Sequence, residues 1–581
     1  MKRSIILLAI CNLFFLLCFL YYVLPFNDFF MAFLINVLIL IAPGLGWIGF
    51  LKNRIKDTVA LSFLTVFLST IIFVLLTAVY RLLNIAPGPL SYLISTTVLT
   101  NVGLLLSNPL FVLGAGYFNK TKMTAIAACV LLIYGFIYWG MKSVPHFRDL
   151  DGEHQGTAYG LMHELKPYLT SDIVVSPFYF AHPPLTNFYN ACSILFFDKL
   201  NDYRYFFDSA KNTERVLKTN PGEALSIKTG DRLYRIVNLD NGFFGREMEG
   251  EEELPWNVLP RKKIVRFIYD QDRSQFERNP QVFPARASNI FASIFIFGIF
   301  FVMINTLTHS PFLGLLGGLI YVLSPGMFVR SCVSEHLAFT NCILLLLSYQ
   351  YIFPERFTIR KGPWKFLSLA PGIMAAFINQ KIIILIFAVF MVNLIRFCKN
   401  NEKNKSIREL FLNDPIINGY FLGTLLFWAY GFLIDKQAFI ASHIHAHFFD
   451  RIIHLNSMFP EDYPSVFALW REFNIEFPFL VLSVLAVICS FRKFFNSRMS
   501  VFPVWILCGA FIFSIVDWKQ TNHLMCIVPP LIIALMVFIS AQKRVYRNIL
   551  IAGIILCLGY SFWFDVSLMN NFAMYIPTSG W

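Results

Sequence analysis

The chain alternates between long apolar runs and short polar joints. Runs at about 4–26, 29–50, 59–83, 92–118 and 124–140 come near or exceed the roughly 20 residues that a helix needs to cross a bilayer. Ten more follow at about 287–307, 311–328, 336–353, 365–380, 382–398, 415–434, 475–491, 501–516, 524–541 and 549–564. Between the two groups, from Lys142 to about Arg286, lies a hydrophilic stretch with one apolar segment, Leu185–Phe197. The pattern predicts an all-α polytopic membrane protein of about 15 transmembrane helices with one large outer loop. The first run follows Met1-Lys2-Arg3 without a small-residue cleavage site, so it reads as an uncleaved span.

Within the loop, turn signals at Asn220-Pro221-Gly222, Thr229-Gly230-Asp231 and Asp240-Asn241-Gly242 bracket the alternating run 232–239. They predict a hairpin inside a small α+β insert. The expected organisation is a five-span segment (1–140), the first part of the outer loop (141–197), the insert (198–285), a membrane core (286–564) and an outer tail (565–581). No internal repeat stands out, which weakens an inverted-repeat transporter reading.

Composition agrees with the pattern: of 581 residues, 57% are apolar and only 14% charged, and the mean hydropathy is +0.60. Such values exclude a soluble enzyme or a disordered chain. The net charge of +13 does not point to nucleic acid, because the cations cluster in alternate short loops as the positive-inside rule requires. Lys52, Arg54 and Lys56, then Lys120 and Lys122, then Arg356, Arg360, Lys361 and Lys365 mark inner loops. Later inner loops hold Lys399, Lys403, Lys405 and Arg408, then Arg492, Lys493 and Arg498, then Lys543, Arg544 and Arg547. The hydrophilic stretch, with about 20 of the 35 acidic residues, then falls outside. The eleven cysteines lie mostly within apolar runs, as Cys11, Cys18 and Cys342 do, and read as small core residues.

Ionisable residues against membrane spans are costly, and three outward segments carry them. Asp149, Asp151 and Glu153 fall within five residues after the fifth run. Such a group can remove a proton from a hydroxyl or hold a divalent cation, or it can simply complement a helix dipole. Further on, His182-Pro183-Pro184-Leu185 opens an apolar helix, with the prolines suited to its first turn. The second segment runs Ser324-Pro325-Gly326 to Arg330, Glu335 and His336. Arg330 there is either a phosphate-directed cation or an interfacial anchor. In the third, Lys519 and His523 are four apart, on one face if helical.

This order of pieces resembles the polytopic membrane glycosyltransferases of the GT-C superfamily, above all their protein-mannosyltransferase and aminoarabinose-transferase-like branch. The resemblance covers roughly 144–197 and 287–535 and leaves the first five spans and the insert without a counterpart. It implies a polyprenyl-phosphate sugar donor, catalysis on the extracytoplasmic side of a bacterial inner membrane, and a cytoplasmic N-terminus. A lipid, glycan or protein would be the acceptor, with no nucleic-acid partner. Among the acids Asp151 is the expected base, since Gly152 beside it lets the backbone approach a sugar; Glu153 and Asp149 would support it. Arg330, Lys519 and His523 would face the donor phosphate, and His182, Glu335 and His336 the substrates. Two departures stand out: Asp151 and Glu153 are split by Gly152 where the family pairs Asp with Glu, and Glu335 and His523 stand where the family has Asp and Tyr.

The chemistry itself asks for the same parts. Transfer from a lipid phosphate needs a base, cations for the leaving phosphate and an apolar groove. No P-loop or dinucleotide fingerprint offers another donor. The expected reaction requires no cofactor and leaves a divalent cation open. His443, His445 and His447, with Asp450 and His454 nearby, are a weaker candidate for zinc or manganese, for an acceptor contact, or for a plain solvated loop. The rival reading is a transporter or flippase of a lipid-linked saccharide. It would place charge near the midplane of broken helices, whereas here the charges sit at span ends on one side.

Overall fold

The structure, a computed structural model, describes residues 2–22, 27–51, 57–85, 88–107, 120–144, 183–197, 212–229, 232–239, 242–248, 286–333, 336–357, 363–400, 414–450, 465–495, 497–515 and 521–570, with a few isolated positions such as Leu161, Leu165, Phe180, Ile264, Ile268 and Phe283. Asp149, Asp151, Glu153, His182, Glu335 and Lys519 lie outside the described residues, as does the side chain of His447.

Helices dominate because apolar runs in lipid must satisfy their backbone internally. Among the described residues six helices are long and apolar enough to cross a membrane, or nine if each of three bent pairs is one span. Polar caps start them. Asp57 Oδ1 accepts from Ala60 N at 3.0 Å before Thr58–Leu82, and Asp414 Oδ1 accepts from Ile416 N at 2.9 Å before Pro415–Phe439. Large apolar side chains cover the outside, with Leu433 85% and Leu556 76% exposed. A surface of that kind fits acyl chains rather than water, and the protein is an integral membrane protein.

Ion pairs join loops that the charge alternation places on one side. Lys142 Nζ meets Asp28 Oδ2 at 2.6 Å, tying the end of Lys120–Ser143 to the start of Asp28–Leu40. At the opposite ends, Asp57 Oδ2 accepts from Tyr349 Oη at 2.7 Å and stands 3.6 Å from Arg356 Nη1.

Several helices approach closely through glycine. A Cβ on Gly372 would stand 2.6 Å from Tyr420 N and 2.7 Å from Ile416 O, so Ala370–Ile378 and Pro415–Phe439 meet backbone to backbone. Leu185–Phe197, read from sequence as an apolar interruption of an aqueous loop, is instead packed into the helical core. All of its residues but the last are buried, Thr186, Asn187, Asn190 and Ser193 included.

The insert forms as its turn signals predict. Strands β1 (Ala224–Thr229), β2 (Arg232–Leu239) and β3 (Gly242–Glu247) make an antiparallel meander. Leu239 pairs with Gly242 around the two-residue turn, and Gly222 takes a φ of 84° ahead of β1. Its own small core joins Val216, Ile227, Tyr234, Ile236 and Phe243 to Ile264 and Ile268. Elsewhere the last helix, Arg544–Asn570, runs past the end at 564 read from hydropathy.

Gly372→Ala should force these two backbones apart. We expect a loss of about 1–3 kcal/mol, as for other overpacking changes, seen as a lower thermal midpoint of the detergent-solubilised protein. An unchanged midpoint would show that the contact tolerates a methyl.

Candidate functional site

Ser324-Pro325 breaks a span. A residue before proline is pushed out of the helical region, and Ser324 is extended at φ −73°, ψ 126°. Its Oγ donates back to Ile320 O at 2.5 Å, and Pro325–Ser331 departs at 69° from Pro311–Leu323. Arg330 ends this short helix at 3% exposure. Three residues beyond Arg330, Val333 O accepts from the Asn289 side chain. His336, also buried, then caps Leu337–Ile352 and receives the Thr340 hydroxyl on its carbonyl at 2.8 Å.

The second wall comes from a sharper bend. Val466–Glu476 begins at a Ser465 cap, whose Oγ accepts from Ala468 N at 3.2 Å, and the chain turns 99° into the next helix. Glu476, at that corner, is 5% exposed. Pro325–Ser331 packs on Val466–Glu476, which packs on Thr521–Leu524. His523 there is buried with its ring stacked on Phe513 at 5.4 Å. Three sequence candidates, Arg330, His336 and His523, therefore come from segments that pack together.

The first outer segment is held through its backbone at three described points. Arg286, fully buried, donates from Nη1 to Met141 O at 3.0 Å and Val144 O at 2.7 Å. It caps the carbonyl end of Lys120–Ser143, where a cation is favoured, a few residues ahead of Asp149. Tyr430 Oη donates to Leu165 O at 2.7 Å. Phe180 N donates to Ser442 Oγ at 3.2 Å, and Phe180 O lies 3.1 Å from His443 Nδ1. A carbonyl only accepts and an amide nitrogen only donates, so His443 Nδ1 bonds Phe180 O when it carries the proton and Gln380 Nε2 when it does not.

This clasp rests on an interrupted helix. At Asp435 the chain leaves helical geometry (φ −160°, ψ 104°), and its Oδ1 caps the next turn through Ala438 N at 2.9 Å. Ile440–Asp450 then winds as a π-helix, so half of the outward loop read at 435–474 is helical. His443 lies between Phe427 and Phe439, at 5.0 and 4.9 Å, with Gln380 Nε2 3.0 Å from its Nδ1. Its Nδ1 is thus engaged in packing the loop. His445 is exposed, and among the described residues no group of three or more His, Cys, Asp or Glu could hold a metal ion.

The bundle also holds an apolar cavity of about 360 Å³. Tyr189 and Phe339 line the end nearest His336, stacked at 5.1 Å, with Tyr189 Oη 2.6 Å from the Thr70 hydroxyl. Thr58 and Leu346 line the other end, next to the Asp57–Tyr349–Arg356 contacts. A cavity of this lining can hold part of an apolar chain.

Sequence reasoning missed Glu476, Arg286 and Asp565. The first had a signal: it is an acid inside the apolar run 475–491, where the cost of intramembrane charge should have flagged it. Asp565, just beyond the run 549–564, is fully buried, and neither of its oxygens has a hydrogen-bond partner among the described residues. Arg286 looked like an ordinary boundary cation.

No protein-family model matches the sequence, and no curated protein matches it. Two solved structures are similar in fold, both of ArnT from Cupriavidus metallidurans. The one bound to undecaprenyl phosphate matches at 10% identity and a TM-score of 0.43 over 76% of this chain and 64% of that one. The one in the apo state matches at 9% identity and a TM-score of 0.42 over 74% and 62%. The chain thus spans less than two thirds of the length of ArnT.

Ser442→Ala removes the acceptor of the Phe180 amide. Hydrogen–deuterium exchange at that amide should quicken by about 5- to 10-fold, the worth of one hydrogen bond. Unchanged exchange would mean that the clasp does not hold this segment.

Proposed function

We propose that the protein is a membrane glycosyltransferase that moves a sugar from a polyprenyl-phosphate donor to an envelope lipid, glycan or protein. The observation that carries this reading is that buried Arg330 lies on a short helix packed against Leu337–Ile352, the helix whose Phe339 and Leu346 also line an apolar cavity. A lipid phosphate presents that pairing of anion and hydrocarbon.

In this reading Asp151 takes the proton from the acceptor hydroxyl or amine as it attacks the anomeric carbon. The bond from that carbon to the phosphate oxygen breaks on the opposite face, and the configuration inverts. Arg330, Lys519 and His523 stabilise the charge gathering on the phosphate. Glu153 and Asp149 orient the base or the acceptor, and His182, Glu335 and His336 contact the substrates. The chemistry needs no cofactor. A divalent cation at the acids, or at His443, His445 and His447, is an addition that it does not require. The site faces outward from a bacterial inner membrane with the N-terminus inside, and about 15 crossings result if the six shorter apolar helices also cross.

Arg330→Ala should lower turnover by about 10²-fold or more, the scale of a lost transition-state donor. Arg330→Lys should recover only part, because an ammonium cannot bind two phosphate oxygens as a guanidinium does. The assay is transfer from a radiolabelled polyprenyl-phosphate sugar in membranes with matched protein levels. Near-normal turnover of Arg330→Ala would remove its phosphate role.

Asp151→Asn keeps the side chain's shape and removes its basicity, so transfer should cease while donor binding persists. Glu153→Gln should cost less and Asp149→Asn least. Normal transfer by all three would sink the glycosyltransferase reading, which comparison of envelope glycolipids from a deletion strain and its parent tests independently.

A further inference from the structure

Glu476 is a buried carboxylate with no role in the steps above. Its place depends on a glycine: a Cβ on Gly326 would stand 3.1 Å from Glu476 Oε2, 2.8 Å from Glu476 Cβ and 2.5 Å from Met525 Cε. Only a residue without a side chain leaves room there for the carboxylate. Gly326 lies in the first turn of Pro325–Ser331, and Arg330 is four residues on. Positions four apart share a helix face, so the face that receives Glu476 also carries the Arg330 stem.

A carboxylate near the first turn of a helix complements its dipole, and that alone would favour an acid here. An exposed acid would serve that end equally well, without the cost of desolvation. Glu476 and Arg330 are instead 5% and 3% exposed, on facing segments. At such burial two charges interact through a low effective dielectric, and each strongly affects what the other can bind.

We propose that Glu476 tempers the affinity of Arg330 for phosphate. Its carboxylate attracts the guanidinium while the site is empty and repels the phosphate group when it is occupied, so that the phosphate-bearing lipid product can leave. This rests on the reading of Arg330 as a phosphate ligand. Like charges repel, so the sign is fixed: removing the Glu476 charge must tighten phosphate binding, not weaken it.

The test measures binding of decaprenyl phosphate and of uncharged decaprenol to the full-length protein in nanodiscs. Glu476→Gln should bind decaprenyl phosphate about 10-fold more tightly, for loss of one nearby like charge, with decaprenol unchanged. Phosphate binding that is unchanged or weaker in the folded variant overturns the proposal. Glu476→Asp, which withdraws the charge by one methylene, should give a smaller tightening and serves if the glutamine variant does not fold. Wild-type protein that fails to prefer the phosphate, or whose preference survives Arg330→Ala, defeats the phosphate role of Arg330 and this inference with it. A preference lost in Arg330→Ala but unmoved by Glu476→Gln defeats the inference alone.

Discussion

Inside lipid a backbone N–H or C=O that leaves a helix has no water to turn to, and several helix breaks in this protein are built to meet that cost. Three breaks among the described residues carry a polar remedy of their own. Ser324 returns its hydroxyl to Ile320 O. Asp435 caps the turn after it through Ala438 N, and Asn379 Oδ1 accepts from Lys381 N at 2.9 Å between Ala370–Ile378 and the helix that follows. Broken helices are also where side chains can turn into a site, because an unbroken span shows its neighbours only a regular apolar face. Arg330 follows the first break and His443 the second.

The first outer segment is governed by the same economy of polar groups. Together with the buried side chains of Leu161 and Phe180, its described anchor points include backbone atoms, the carbonyls of Met141, Val144 and Leu165 and both polar groups of Phe180. The side chains that hold them, from Arg286, Tyr430, Ser442 and His443, belong to later helices.

How much of this could be read beforehand follows from what hydropathy measures. Runs such as 59–83 and 287–307 match Thr58–Leu82 and Ser288–Thr308 within a residue or so, because apolar length is set by the bilayer. The hairpin of β2 and β3 was legible from Asp240-Asn241-Gly242, since a two-residue turn has few solutions. Breaks were less legible: 311–328 read as one span, although Pro325 marks the bend within it. The division between the runs 365–380 and 382–398 was read to within two residues of the break at Asn379, whose side chain caps the next turn. Burial of Leu185–Phe197 was hidden for a different reason, since its asparagines and threonine look aqueous until partners appear, as Ser288 Oγ does for Asn190 Oδ1 at 2.7 Å. In the candidate site, residue type pointed to Arg330, His336 and His523, while Glu476 required knowing that Gly326 faces it.

The two ends of the bundle use charge differently. At the end near Asp57 the polar groups form a closed set: Asp57 caps a helix with one oxygen and accepts from Tyr349 with the other, and Arg356 Nη1 donates to Tyr349 Oη at 2.6 Å. Little there is left to bind a substrate, and helix Leu337–Ile352 is simply locked to Thr58–Leu82. Near His336 the ionisable residues instead come from separate segments that meet at bent helices. A lock would have been cheaper to build from adjacent turns, as the Asp57 end shows. Bringing Arg330, Glu476 and His523 together from positions spread over nearly 200 residues costs desolvation at each. Stability alone does not repay that cost, since an apolar packing would serve as well. Under the proposed function, binding of an anionic, chain-bearing substrate is what offsets it.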